Sequence, residues 1–436
     1  MKILLVLALL CGPAAADPDD DGAWATLDRI AAVAAVFHDS ARPFNTPLRP
    51  RDLIVGDVDL ACERQEGRPC GDGANLFTEL DAAAGYRGAS IATRLRAAHT
   101  PHGFDLAIDR LHVDGALGPF RAEVGRDVIL LGPASRTQLG WGTNAPPLDH
   151  VRVSTRPLVI TDDVAGSLLY LVGRLRDPQT YPGNLVTIAR GQLDIAGAYS
   201  IGMMQLLQLA GDGAPGFGVW DFIREHITRR DASATATDSS NRRIGFDLAA
   251  RIGGLHDARL YYQLVFEDWR KRFVDAVRYD ADHLFGVDVA RHGFTFEIMK
   301  TGVRSEEHTP RLTGFTNAGR IVGAPLGPDA ISAFASERVE LRRGTLVPWV
   351  ELARLSSDTY TFVGFGGISR TTEGPAERRY RGGIDLLLPV RRDLELGLDA
   401  MYEYVTSFAF DPSTSRTNVG VTATLVWRPN VRLGGN

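Results

Sequence analysis

The chain alternates apolar and polar residues over long runs. In 243–252, Ile244, Phe246, Leu248, Ala250 and Ile252 fall on one side of an extended backbone, and Arg243, Asp247 and Arg251 on the other. In 259–267, Leu260, Tyr262, Leu264 and Phe266 oppose Arg259, Gln263 and Glu267. In 393–404, Leu394, Leu396, Leu398, Ala400, Tyr402 and Tyr404 oppose Asp393, Glu395, Asp399 and Glu403. In 418–427, Val419, Val421, Ala423, Leu425 and Trp427 do the same against Asn418, Gly420, Thr422 and Thr424. A period of two puts each set on one face of a strand. A soluble antiparallel sandwich also has one apolar face, but its strands average about 5–6 residues. Runs of this length match the roughly 9–11 residues that a tilted strand needs to cross a bilayer. Tyr261, Tyr262, Tyr402, Tyr404 and Trp427 stand near run ends, where membrane barrels carry interfacial aromatic girdles.

The connections sort by length. Short ones are Asp114–Gly118, Ala196–Tyr199, Gly253–Asp257, Arg291–Gly293 and Pro389–Asp393; long ones are 131–150, 211–241, 268–283, 304–317 and 406–416. They largely alternate along the chain. Outer-membrane barrels have this asymmetry, with short periplasmic turns and longer surface loops. The pattern predicts an all-β fold: a transmembrane antiparallel β-barrel of about 16–18 strands over 81–436. Ahead of it, Trp24–Phe37 predicts a helix. Asp19–Asp21 precede it, Trp24, Leu27, Ala31 and Ala34 share a face, and Pro43, Pro47 and Pro50 follow it. This makes 17–80 a small N-terminal helical and loop region on the periplasmic side.

The first sixteen residues read as a signal peptide. Lys2 gives a basic start, Ile3–Leu10 an apolar run, and Ala14–Ala16 a small-residue cleavage site. Acylation of Cys11 is the alternative, against which Leu10 is too large for the usual lipid-attachment box. In an exported chain the two nearby thiols of "CERQEGRPC", Cys62 and Cys70, predict a disulfide; no His lies in the segment to support a metal site. A net charge of −5 argues against nucleic acid as a partner.

The polar faces supply the candidate chemistry. Arg243, Asp247, Arg251, Arg259 and Glu267 are expected to line the lumen. They either pair with one another or bind a polar solute. Three loop segments offer aromatic and hydrogen-bonding groups suited to a sugar: Trp141 and Asn144 in "GPASRTQLGWGTNAPPLDH", Trp220 in "FGVWDFIREHITRR", and Trp269, Arg270 and Lys271 in "FEDWRKRF". The plainer reading makes Trp141 and Asn144 shapers of their loop, and makes the basic segment a contact for lipid head groups. Gly-x-Ser-x-Gly and His-Glu-x-x-His elements are missing, and His226, His256, His283, His292 and His308 are scattered. No catalytic residue, metal or cofactor is expected.

Several segments resemble the Wzi-type capsule assembly family. "GRDVILLGPASRTQLGWGTNAPPLDHVRVSTRP" (125–157) is similar to that family's Gly-Pro and Asn-Ala-x-Pro stretch before a strand. "NRRIGFDLAARIGGLHDARLYYQLVFEDW" (241–269) is similar to its paired strands, "VGAPLGPDA" (322–330) to its Pro-Leu-Gly element, and "RPFNTPLRPRD" (42–52) to its opening helical region. In order, they are distributed over most of 22–430. The resemblance implies an outer-membrane barrel, its periplasmic mouth closed by N-terminal helices. It would act as a surface lectin for capsular or exopolysaccharide, among outer-membrane lipid and beside polysaccharide export machinery. The competing expectations are a passive porin and a barrel-embedded lipid or glycan hydrolase.

Overall fold

The computed structural model describes residues 24–38, 72–86, 88–214, 218–227, 240–267, 273–305, 311, 313–363, 367–429 and 431–433. The first nine barrel strands are β1 (Trp24–His38), β2 (Gly73–Tyr86), β3 (Ala89–Thr100), β4 (Gly103–Leu117), β5 (Phe120–Asp127), β6 (Leu148–Thr155), β7 (Val164–Arg174), β8 (Leu185–Ile195) and β9 (Tyr199–Leu209). The next nine are β10 (Asn241–Ile252), β11 (Ala258–Phe266), β12 (Ala281–Val289), β13 (Phe294–Lys300), β14 (Ala330–Glu337), β15 (Gly344–Leu355), β16 (Glu377–Pro389), β17 (Leu394–Thr406) and β18 (Ser415–Trp427). Each strand pairs antiparallel with the next. β18 pairs with β1, Leu425 opposite Ala32, so the sheet closes into a barrel of 18 strands. Leu158–Thr161, Val339–Leu341 and Val431–Leu433 prolong β6, β14 and β18 beyond one rim.

The strands alternate as the sequence pattern requires. Phe246, Leu248, Val151 and Val421 are exposed on the outer face, while Arg243, Asp247, Glu297 and Glu403 are buried on the inner one. The exposed set recurs around the wall and forms an apolar belt. Among sheets, only a closed one satisfies every backbone group in hydrocarbon. Loop lengths sort between the two rims. Connections 87–88, 118–119, 162–163, 196–198, 253–257, 290–293, 342–343 and 390–393 gather at one rim. The other rim carries 128–147, 175–184, 210–240, 267–280, 301–329, 356–376 and 407–414, with Pro101-His102 its one tight turn among the described residues. The expected alternation of short and long connections is therefore present.

The expected N-terminal helix is not. Trp24–His38 is barrel strand β1. Its alanine-rich sequence fits either period, and Ala31 belongs to the apolar face in both. The strand period also places Ala31, Val33 (2 % exposed) and Ala35 inward beside Phe77 and Ala98, and leaves Val36 (59 % exposed) outward. The deciding term is pairing: without β1 the edges of β2 and β18 would face lipid with unmet hydrogen bonds. The barrel therefore starts at Trp24 rather than near residue 81. The signal segment, Cys11, Cys62 and Cys70 lie outside the described residues.

Candidate functional site: the filled lumen

The loop that follows β5 turns into the barrel. Leu131 and Trp141 form an isolated bridge, with the Leu131 amide donating to the Trp141 carbonyl at 2.9 Å. This closes residues 131–141 into a compact excursion. Gly132 sits at φ +138°, and a Cβ there would come within 2.3 Å of the Gln263 amide nitrogen. Only glycine allows that approach. Gln263, on the inner face of β11, then spans the loop: its Nε2 donates to the Leu131 carbonyl at 2.8 Å, and its Oε1 accepts from the Leu139 amide at 2.8 Å.

The tip of the loop wraps one carboxylate. Glu297 of β13 accepts from the backbone amides of Ser135 (3.0 Å), Arg136 (2.9 Å) and Thr137 (3.3 Å), and from the Tyr261 hydroxyl at 2.8 Å. Successive amides around an anion form a nest. Arg136 extends to Glu351 of β15 at 2.8 Å and lies 3.9 Å over the Phe334 ring of β14. The Ser135 hydroxyl donates to Asp288 of β12, and Arg259 of β11 donates to the Pro133 carbonyl. One loop is thus fastened to five consecutive strands of the wall, β11–β15.

A second loop, described at 301–305, 311 and 313–329, packs on the first through 315–326. The Gly142 amide donates to the Val322 carbonyl at 2.7 Å, Asn144 Nδ2 to the Ile321 carbonyl at 2.9 Å, and Asn317 Nδ2 to the Pro146 carbonyl at 2.9 Å. Leu139, Trp141, Phe315, Val322 and Leu326 bury against inward side chains of the wall, among them Leu171, Ile188, Met204 and Leu206. An apolar core inside a barrel is what a folded plug requires. Burying apolar surface holds the loops where an open lumen would hold water.

Four of the five predicted lumen charges fall into pairs. Arg243 bonds Glu267 and Asp282, each at 2.8 Å, with all three buried. Asp282 also accepts from the Ser305 hydroxyl and the Gly302 amide. Asp247 takes both forks of Arg190 at 2.6 and 3.0 Å. Arg259 is half-buried and bonds Asp288 at 3.1 Å, while Arg251 is exposed near the short-turn rim. Beyond these, Glu403 joins Arg381 and Asn418. Such groups are costly to bury alone and are held by their partners. They fix the wall and the plug rather than offering free charge to a solute.

The loop candidates separate. Trp141 and Asn144 are each 1 % exposed. Their surfaces are spent on the plug, so the loop-shaping reading replaces the sugar-contact one. Trp220 is 81 % exposed on helix α1 (Val219–Ile227). That helix lies against the outside of the barrel. His226 Nε2 is 3.1 Å from both the Tyr170 hydroxyl of β7 and the Thr187 hydroxyl of β8, on the outward face, and Glu225 pairs with Arg242 at 3.4 Å. Trp269, Arg270 and Lys271 lie outside the described residues. The sequence reading missed Glu297, Glu351 and Arg136, and put Gln263 on the polar face of its strand without a role. Glu297 in "FTFEIMK" and Glu351 in "PWVELARL" carried the available signal: a single acid within a mostly apolar strand.

Two other clusters bear on chemistry. Ligand-type atoms of His112, Glu123 and Asp127 lie within 4.8 Å of one another. Glu123 is already held by His150 at 2.9 Å and by Arg152, and Arg110 stands 3.8 Å from Asp127. The arginines therefore already balance both carboxylates. His283 bonds the Tyr262 hydroxyl at 2.7 Å and the Val277 carbonyl at 2.8 Å, and His292 stacks edge-on against His256. Neither of these contacts is the Ser partnership a hydrolase would use.

Comparison with known proteins agrees with this architecture. No curated protein matches the chain. Its fold is similar to that of Wzi, an outer membrane protein involved in group 1 capsule assembly in Escherichia coli and a carbohydrate-binding β-barrel. The TM-score is 0.65 at 12 % identity, over 93 % of this chain and 85 % of that one. It is also similar to OccK5 (OpdH) of Pseudomonas aeruginosa, with a TM-score of 0.50 at 10 % identity, over 95 % and 98 %. The family model for capsule assembly protein Wzi matches residues 58–419. With the closed barrel and its lipid-facing belt, that match places the protein in the outer membrane, and the chain belongs to the Wzi capsule assembly family.

Proposed function

We propose that this protein binds capsular or exopolysaccharide at the cell surface and helps attach or assemble it there. The observation that carries the reading is the lumen: two long-rim loops fold inward onto a continuous apolar core, so the barrel is built as a closed platform. The family and the Escherichia coli barrel, a carbohydrate-binding protein in capsule assembly, support the same conclusion. Export machinery is the natural neighbour of such a platform. The reading involves no bond-making chemistry and no cofactor.

Trp269, Arg270 and Lys271 are the proposed polymer contacts. They follow Glu267 in the sequence, whose pairing with Arg243 fixes the long-loop end of β11, and the segment combines an aromatic residue with fork-like donors. Such a set suits an acidic sugar. The test is binding of purified capsular polysaccharide to the full-length protein in detergent, by calorimetry or pull-down. The triple variant Trp269→Ala, Arg270→Ala, Lys271→Ala should lose about tenfold or more in affinity, the effect of one or two interface anchors, with the barrel still folded. Full retention of binding removes these residues from the site. No binding of any acidic polymer by the parent chain removes the function.

A further inference from the structure

The outer wall carries a site that the polysaccharide reading does not use. Ile108, Leu111, Val124, Val151, Val172 and Leu185 line an open groove of about 530 Å³ across β4–β8, with Gly125 and Gly173 in its floor. Small-ligand sites span roughly 300–1,000 Å³. Ile108, Val124 and Val151 belong to the exposed apolar belt, so the groove is continuous with the lipid-facing surface.

Its upper end, toward the long-loop rim, changes character. Arg126, Asp149 and Arg174 stand in one row across β5, β6 and β7, because Asp149 is the cross-strand partner of both arginines. Asp149 ties Arg126 through two bonds, at 2.6 and 2.9 Å. Behind the row, Arg96 pairs with Asp109 at 2.7 Å. Two cations are left over. Among the described residues, no carboxylate lies within ion-pair distance of Arg174 or of Arg176 just beyond it. Among the described residues, the Arg176 Nε is buried without a hydrogen-bond partner, and Nη2 donates to the Pro147 carbonyl at 3.4 Å. Burial first, and then the nearby Arg126, hold that guanidinium below the usual arginine range. An apolar slot capped by surplus positive charge, at the long-loop end of the exposed apolar belt, is complementary to an anionic amphiphile.

We propose that this groove binds an anionic, phosphorylated lipid of the outer leaflet, one acyl chain lying along Ile108, Val124 and Val151 and the phosphate meeting Arg174. Arg126 borders the phosphate, and Asp149 sets its orientation. The occupant is a lipid rather than a free anion because the cations sit over an apolar slot open to the membrane.

The full-length protein in a neutral detergent is titrated with dioleoyl phosphatidic acid, with dioleoyl phosphatidylcholine and with inorganic phosphate, and bound lipid is read by native mass spectrometry. Phosphatidic acid should be retained in preference to phosphatidylcholine, and millimolar inorganic phosphate should leave it in place. Arg174→Ala should weaken retention about tenfold, as loss of a charge-assisted hydrogen bond implies. Arg174→Lys should keep most of it, and Val151→Phe, which narrows the slot while staying apolar, should weaken it too. Heat-modifiable migration on gels reports that each variant is folded. Equal retention of the two lipids, displacement by inorganic phosphate, or unchanged retention in Arg174→Ala would each overturn the proposal.

Discussion

The residue that decides whether the plug holds is Glu297. Its carboxylate gathers three consecutive amides and a tyrosine hydroxyl inside the wall. Hydrogen bonds to a charged group contribute about 1.5–3 kcal/mol each when a partner is removed. Glu297→Gln keeps the size but turns one acceptor into a donor that faces amide hydrogens. It should cost about 2–3 kcal/mol of loop anchoring, seen as faster hydrogen exchange over 131–141 with the strands still protected. Unchanged exchange there would show that Gln263 and the apolar contacts suffice. The sequence made part of this legible. The glycines and prolines of 132–147 announced a shaped excursion, and Gly132 occupies a position only glycine tolerates. That Trp141 is buried was not legible, because the residues that cover it, Phe315 and Val322, lie far along the chain.

At the scale of elements, strands with strict alternation read directly from the sequence. β10, β11 and β17 keep charged residues, and β18 uncharged polar or small ones, on one face and apolar residues on the other, and no helical face fits them. β1 did not read directly. Alanine suits a helix and is tolerated in a strand, and the small inward side chains hide the period. What settles it is long-range pairing, with Ala34 opposite Leu76 on one side and Ala423 on the other. Ala34→Pro tests this. Proline removes a ladder donor and is not tolerated in a strand paired on both edges. The variant should fail to give the compact, heat-modifiable form of a closed barrel. A periplasmic helix broken at the same place would leave the barrel intact, so normal migration would contradict the strand. The inward loops were hidden for a related reason: their length marked the rim they leave from, but not which way they turn.

For the whole molecule, the question is whether an 18-strand barrel conducts. Barrels of 16–18 strands leave an aqueous channel unless something fills them. Here 128–147 and the described part of the second loop, 313–329, share one apolar core with the inner wall, and the tip of the first loop is tied by Glu297, Glu351, Asp288 and Arg259. The resemblance implies closure by N-terminal helices from the periplasmic side. Among the described residues, the lumen is filled instead by loops that leave the surface rim. A plug of this kind has a cost that a porin would avoid, since the loops must be ordered and their amides satisfied inside the lumen. Reconstituted in a planar bilayer, the full-length protein should therefore show little steady conductance. Replacing 133–145 by a short Gly-Ser link removes the nest around Glu297 and the Trp141 anchor, and should open a large, steady pore. Intermediate, flickering openings are expected for Glu297→Gln, which loosens the loop without removing it. If the intact protein already conducts as much as the shortened one, the loops line a path rather than closing it, and the barrel is a channel.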